Sequence, residues 1–205
     1  MGDNRKNQVG RLGLASVGAD VIIWEKAQII GAEHISVGDR VIIDDFVLLM
    51  ATEPMVIGSF VHIAAATTVM GGGSFSMGDF ATLSGGVRVY TGTDDYLGGS
   101  MVNSTVPAPW RTPTRSMVRL DRHSVIGAGS VVLPGVTIGE GAAVGAMSLV
   151  TGDCDPWTVY VGAPAKPLKS RPRSQILALE ADLRSVYFDA AGRYDPPTAA
   201  SGAGG

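Results

Sequence analysis

Beginning at Ile126, every sixth residue is β-branched: Ile126, Val132, Ile138, Val144 and Val150. Glycine follows three of them, as Gly127, Gly139 and Gly145, and the small or medium residues Ser130, Val136, Ala142 and Ser148 recur four positions on. The same rhythm links Val37, Ile43 and Leu49, then Ile57, Ile63 and Val69, then Met77, Leu83 and Val89. A period of six does not place apolar residues three and four apart, as a helix needs, and it is not simple strand alternation. It suits a triangular coil of three short strands in which each flat side sends one apolar side chain to a narrow axis. Small residues let the backbone turn at the corners, and successive coils hydrogen-bond to those above and below. The blocks starting at residues 37, 57 and 77, and resuming at 120 and 138, give coils of 18 to 20 residues.

Composition agrees with a thin, repetitive core. Glycine is abundant, at 28 of 205 residues, while aromatic residues make up only 6%. A net charge of −3 with 17% charged residues gives no nucleic-acid surface or polybasic membrane patch. No run of roughly 18 uncharged apolar residues reads as a membrane span, and the first residues lack the apolar stretch of a signal peptide. The single cysteine, Cys154, forms no internal disulfide framework and is read as structural. The expectation is a cytoplasmic protein.

Function in a solenoid sits where the repeat is broken. Residues 52–56 and 71–73 each add about two residues to a coil. The large break is a loop at 90–119, polar and rich in glycine and proline, carrying Asp94, Asp95, Tyr96, Asn103, Trp110 and Arg111. A loop of that length and chemistry reads as functional. Beyond Pro164 and Pro167, Ile176, Leu179, Leu183 and Val186 are spaced for an amphipathic helix. The expected organisation is a flexible N-terminus over 1–16, the repeat domain over 17–171, a helix within 172–188 and a disordered tail over 189–205.

The segment VIGAGSVVLPGVTIGEGAAVGAMSLVTGDCDPWTVYVGAPAKPLKSR, residues 125–171, resembles the hexapeptide-repeat acyltransferases, and the resemblance extends over about residues 17–171. It implies an all-β, left-handed parallel β-helix with a long inserted loop and a short C-terminal α-helix. It also implies a homotrimer with active sites between subunits, and acetyl-CoA as co-substrate without a metal. Sugar acetyltransferases of this fold carry a histidine base at the start of the loop, in a pattern resembling Tyr-Thr-Ala-Thr-His-Pro. Here the residues are Tyr90-Thr91-Gly92-Thr93-Asp94-Asp95, so the histidine is replaced. An aspartate with an ordinary pKa near 4 is a weak base at neutral pH.

His62 is the alternative base. The expected arrangement places it against Asp94 or Asp95 of the adjacent chain, whose carboxylate would orient the imidazole. His34 and His123 are read as structural, and the Asp44-Asp45 pair as a turn cap. Tyr96, Asn103 and Arg111 are candidates for acceptor binding. The resemblance places pantetheine against Gly127, Ala128, Gly145 and Ala146. Lys166, Lys169, Arg171 and Arg173 form a basic cluster suited to the phosphates of coenzyme A. Gly152 stands where relatives often carry a lysine.

The function implied is coenzyme A-dependent acetyl transfer onto a sugar, either a saccharide hydroxyl or the amine of a nucleotide-linked amino sugar. Two alternatives are a non-catalytic trimeric scaffold and a carbonic-anhydrase-like metalloenzyme. The second needs about three histidines on one zinc, and the expected coil positions of His34, His62 and His123 do not bring them together.

Overall fold

The fold was analysed in a computed structural model that describes residues 6–197. The residues of the repeat become short strands on three parallel sheets. The first face carries Ser16–Val17, Ile35–Val37, Met55–Ile57, Phe75–Met77, Val118–Leu120 and Thr137–Ile138. The second carries Ile22–Ile23, Ile42–Ile43, His62–Ile63, Thr82–Leu83, Val125–Ile126, Ala143–Val144 and Thr158–Val161. The third carries Gln28–Ile30, Leu48–Met50, Thr68–Met70, Arg88–Tyr90, Val131–Val132 and Leu149–Val150. The chain visits the faces in turn, and each strand pairs in parallel with its counterparts in adjoining coils. On the second face, for example, Ile43 pairs with Ile63 and Leu83 with Ile126. The architecture is a left-handed parallel β-helix.

The axial positions are those of the repeat. Ile43, Ile63, Val69, Leu83, Val89, Ile126, Val132 and Ile138 are all fully buried. Each contacts its counterparts along the axis, so shortening one to alanine opens a cavity the stacked coils cannot close, at a cost of about 2–5 kcal/mol.

Corners demand left-handed backbone, and here several non-glycine residues supply it. Arg40, Phe60, Phe80, His123 and Trp157 all have φ between 52° and 60°. Phe60 and Phe80 lie 5.1 Å apart, Phe80 stacks on His123 at 5.1 Å, and His123 meets Trp157 at 6.1 Å. Gly141 occupies this corner between His123 and Trp157, where a Cβ would run into the indole. The contacts repay the backbone strain with aromatic stacking.

Both ends of the coil stack are closed. Residues 7–14, expected to be flexible, are instead held at the first coil. The Asn7 amide bonds Val21 and Ile23, Gln8 bonds the carbonyls of Trp24 and Ala27, and Val9, Leu12 and Leu14 pack on the core. A solenoid exposes apolar edges at its ends, which is the physical reason for such a cap. At the other end Lys166–Ser170 turns back and pairs antiparallel with Thr158–Val161. Pro164 and Pro167, read as a stop, lie in and beside this hairpin.

Residues 172–197 form a separate compact unit. Its helix spans Ser174–Tyr187. Glu180 is the buried residue of this helix and accepts a hydrogen bond from Arg184 at 2.7 Å, whereas Leu179 and Val186 are exposed. Residues 189–195, expected to be disordered, fold back on the helix end: Tyr194 stacks on Tyr187, and Asp189 bonds Arg193 at 2.8 Å. The expectations for residues 1–5 and 198–205 lie outside the described residues.

Candidate active site

Every departure from the shortest coil falls at one corner, between the third face and the first. Residues 31–34, 51–54 and 71–74 widen that corner in successive coils, and the long loop leaves from it after Tyr90. Stacking the widened turns requires small residues. Gly71, at φ +132°, lies against the backbone of Thr91 and Gly92, and a Cβ on Gly92 would meet the Gly71 carbonyl. The loop opens and closes as a two-strand ladder, Gly92–Thr93 against Thr114–Arg115.

A cleft of about 670 Å³ lies between this ladder and the coils. Its floor is Met70 and Gly71 from one coil and Leu133 and Pro134 from another, while Tyr90, Thr93, Asp94, Tyr96, Arg111 and Arg115 supply the polar wall. Asp94 Oδ1 accepts a hydrogen bond from Arg111 Nε at 2.6 Å, with both side chains about one-fifth exposed (20% and 22%). That bond holds the Asp94 carboxyl below the usual carboxylate range. Partial burial opposes the effect, and the Arg111 charge and a bond from the Asn103 N–H add to it.

The loop residues named from sequence divide between the cleft and the loop's own structure. Asp94, Tyr96 and Arg111 line the cleft. Asp95 turns away and accepts the Leu97 N–H at 2.8 Å. The Asn103 side chain accepts from the Thr105 N–H and hydroxyl, both at 3.0 Å, so the residue reaches Asp94 only through its backbone. Trp110 is 61% exposed. Arg115 was not singled out from sequence. Its backbone pairs in the ladder, but its side chain makes no hydrogen bond or ion pair among the described residues, and its Nε packs where a Cβ on Gly72 would be 2.9 Å away.

His62 projects from the second face and is half exposed. Its Nε2 lies 3.0 Å from Asp44 Oδ2, a residue expected only to cap a turn. Within one chain the histidine's carboxylate partner is therefore Asp44. His123 is buried in the corner stack, and His34 lies in the widened corner beside Glu33. The three histidines occupy a face and two different corners and do not converge.

Gly127 and Gly145 are stacked in adjoining coils, where a Cβ on the first would strike the Ala146 N–H. Ala128 and Ala146 are exposed beside them, leaving a strip of bare backbone. Lys166 and Lys169 are exposed on the terminal hairpin. Arg171 differs from the expectation: its Nη1 donates to the His123 carbonyl at 2.9 Å and the Gly141 carbonyl at 2.8 Å. It pins the hairpin to two coils, and burial lowers its pKa. The Cys154 thiol is buried and pushed up to about 11, first by burial and then by the neighbouring carboxylates of Asp153 and Asp155, so it is unreactive at neutral pH.

Comparison with known proteins adds to this geometry. A family model described as bacterial transferase hexapeptide (six repeats) matches residues 118–152. A dTDP-4-amino-4,6-dideoxy-D-glucose acyltransferase from Escherichia coli is 40% identical over 174 residues, covering 84% of this chain and 90% of that protein. Among the solved structures that the chain resembles are several of AntD, an N-acyltransferase from Bacillus cereus. The S84C mutant, in complex with dTDP-4-amino-4,6-dideoxyglucose and coenzyme A, matches with a TM-score of 0.84 at 38% identity, covering 90% of this chain and 100% of that one. The D94A mutant, in complex with dTDP and coenzyme A, matches with a TM-score of 0.83, at the same identity and coverage.

Proposed function

Given that this chain belongs to the hexapeptide-repeat acyltransferases, we propose that it transfers a short acyl group from a coenzyme A thioester to the amine of a dTDP-linked 4-amino-4,6-dideoxy sugar. The observation that carries this reading is the near full-length likeness to one enzyme named for that acceptor and to an N-acyltransferase solved in complex with it, together with the loop cleft. The substituted residues in the two AntD structures are a serine at 84 and an aspartate at 94. This chain carries Ser84 and Asp94 with the same spacing. Between the two acceptors left open by the sequence, these likenesses favour the amine.

In the proposed reaction the amine lone pair attacks the thioester carbonyl. The C–N bond forms, the carbonyl oxygen takes the charge, and collapse breaks the C–S bond to release the thiolate. The amine proton ends on that sulfur. Asp94 orients the amine, and Arg115 meets the diphosphate as an unpaired guanidinium suited to phosphate. His62, oriented by Asp44, receives the proton in passing. Pantetheine lies along Ala128 and Ala146, with Lys166 and Lys169 towards its phosphates.

The active form is a homotrimer in which His62 of one subunit faces the cleft of its neighbour. Support comes from apolar residues exposed beside His62 in the adjoining coil, Ile42 on the same face and Phe46 at the next corner, with Met147 exposed at that same corner three coils beyond His62; the last two are 65% and 76% exposed. Among the described residues no helix is long and apolar enough to cross a membrane, and we place the enzyme in the cytoplasm, where nucleotide sugars and coenzyme A are available.

Calorimetry tests the acceptor. dTDP-4-amino-4,6-dideoxyglucose should bind with coenzyme A present, and Arg115→Ala should weaken it about tenfold or more. No binding of either ligand would contradict the reading. Light scattering should give three times the 21.2 kDa chain mass, and a monomer at micromolar concentration would remove the shared site.

A further inference from the structure

Attack on a thioester requires a neutral amine, because an ammonium ion has no lone pair. A lone carboxylate beside the amine would favour the ammonium form, since a nearby opposite charge stabilises the charged state. The acceptor site proposed above contains such a carboxylate, Asp94, but not alone. Arg111 Nε lies 2.6 Å from its Oδ1, the Asn103 N–H supplies a second donor, and both Asp94 and Arg111 line the cleft.

We infer that Arg111 is a positioning residue that neutralises Asp94, so that the carboxylate orients the acceptor amine without holding it as an unreactive ammonium ion. The sequence reading gave Arg111 to the substrate, whereas its Nε is spent on Asp94. The remaining titratable groups facing the cleft agree with this division, and His62, placed there from the neighbouring subunit, brings Asp44 with it as its own counter-charge. Tyr90 comes from the third face, and Tyr96 and Arg115 from the loop. Met70, Leu133 and Pro134, from the packed coils, bring no charge. Asp95, next in sequence, is turned to the Leu97 N–H. Around the amine the fixed charges are thus one carboxylate matched by Arg111, while Arg115, given to the diphosphate, is met by that group's own charge. That balance favours the neutral amine.

The inference rests on the proposed acceptor, and the experiment separates the two. With saturating acetyl-CoA and dTDP-4-amino-4,6-dideoxyglucose, the acid limb of the kcat profile reports the amine's ionisation in the ternary complex. In Arg111→Met that limb should move to higher pH by about one unit or more, with kcat at pH 7 falling while KM falls or stays level. Arg111→Lys, which keeps the charge, should retain the wild-type limb. Adding Asp94→Asn to Arg111→Met should bring the limb back down. A residue needed only to hold the loop would lower kcat at every pH and leave the limb in place, and that result would overturn the inference. Should the methionine variant not fold, a ¹⁵N-labelled amino sugar bound to the wild-type enzyme with coenzyme A gives the same answer. Its amine should titrate no higher than free in solution, and a rise of a unit or more would refute the role given to Arg111. Absence of any turnover or binding by the wild-type enzyme would instead refute the proposed function.

Discussion

The imidazole Nε2 of His62 lies 3.0 Å from Asp44 Oδ2, joining two adjoining coils on the outer surface of the second face. The residues are 18 positions apart in the chain. The coil repeat alone brings them together. In a buried core such a pair would be structural, but here the histidine is half exposed, 47% by side chain, and remains accessible to a neighbouring subunit.

If this pair relays the amine proton, His62→Ala should lower kcat about 100-fold, the low end for general-base assistance. Asp44→Asn should give a smaller loss, since the base remains and only its orientation suffers. Steady-state kinetics at pH 7 decide the matter, and full turnover by His62→Ala would leave proton removal to the departing thiolate.

Gly71 sets the floor of the cleft. Its φ of +132° and its closeness to the backbone of Thr91 and Gly92 leave no place for a Cβ. Gly71→Ala should destabilise the protein by about 1–3 kcal/mol and raise KM for the acceptor, because the coil cannot settle under the loop. Thermal unfolding and KM measured together check this. A variant with wild-type values of both would show that the widened corner tolerates movement.

The Asp94–Arg111 bond also predicts a pH dependence of stability. Asp94 has a folded pKa below its unfolded value, chiefly through the Arg111 hydrogen bond. Its contribution is therefore fully present above about pH 4 and is lost as pH falls through the folded pKa. Asp94→Asn should unfold earlier than wild type at pH 7, and the two melting temperatures should converge towards pH 3. A gap that stayed constant between pH 7 and pH 3 would contradict the assignment.

Ser124 is fully buried, and its hydroxyl has no hydrogen-bond partner among the described residues. Replacing an unsatisfied polar atom removes a desolvation cost, so Ser124→Ala should stabilise the chain by about 1 kcal/mol. Chemical denaturation measures this, and a loss of stability would mean that the hydroxyl is satisfied in solution.

The sequence made the fold legible because a buried apolar side chain recurs every six residues, although four first-face strands, such as Phe75–Met77, bury two. Ile126, Val132 and Ile138 announce themselves by spacing, and all three are buried. The loop was visible for the complementary reason, as the place where that spacing stops. The cleft was harder to see. Gly71, Asp94 and Leu133 belong to different coils, and only the stacking of unequal coils brings them to one corner. The same difficulty hid the Phe60–Phe80–His123–Trp157 column and the Asp44 partner of His62, whose contacts cross from coil to coil. The closing hairpin was masked by Pro164 and Pro167, which punctuate a chain equally well whether it ends or reverses. Arg171 looked like a phosphate ligand by composition, and only the carbonyls of His123 and Gly141 reveal its packing role.

The central claim is acyl transfer to an amine on a nucleotide-linked sugar. The most direct measurement incubates the purified enzyme with acetyl-CoA and either dTDP-4-amino-4,6-dideoxyglucose or its 4-hydroxy counterpart, and follows both products by mass spectrometry. The account predicts one acetyl group added to the amino sugar, one coenzyme A released per product, and little or no reaction with the hydroxy sugar. Acetylation of the hydroxy sugar at an equal or greater rate, or no product from the amino sugar while coenzyme A binds normally, would contradict it.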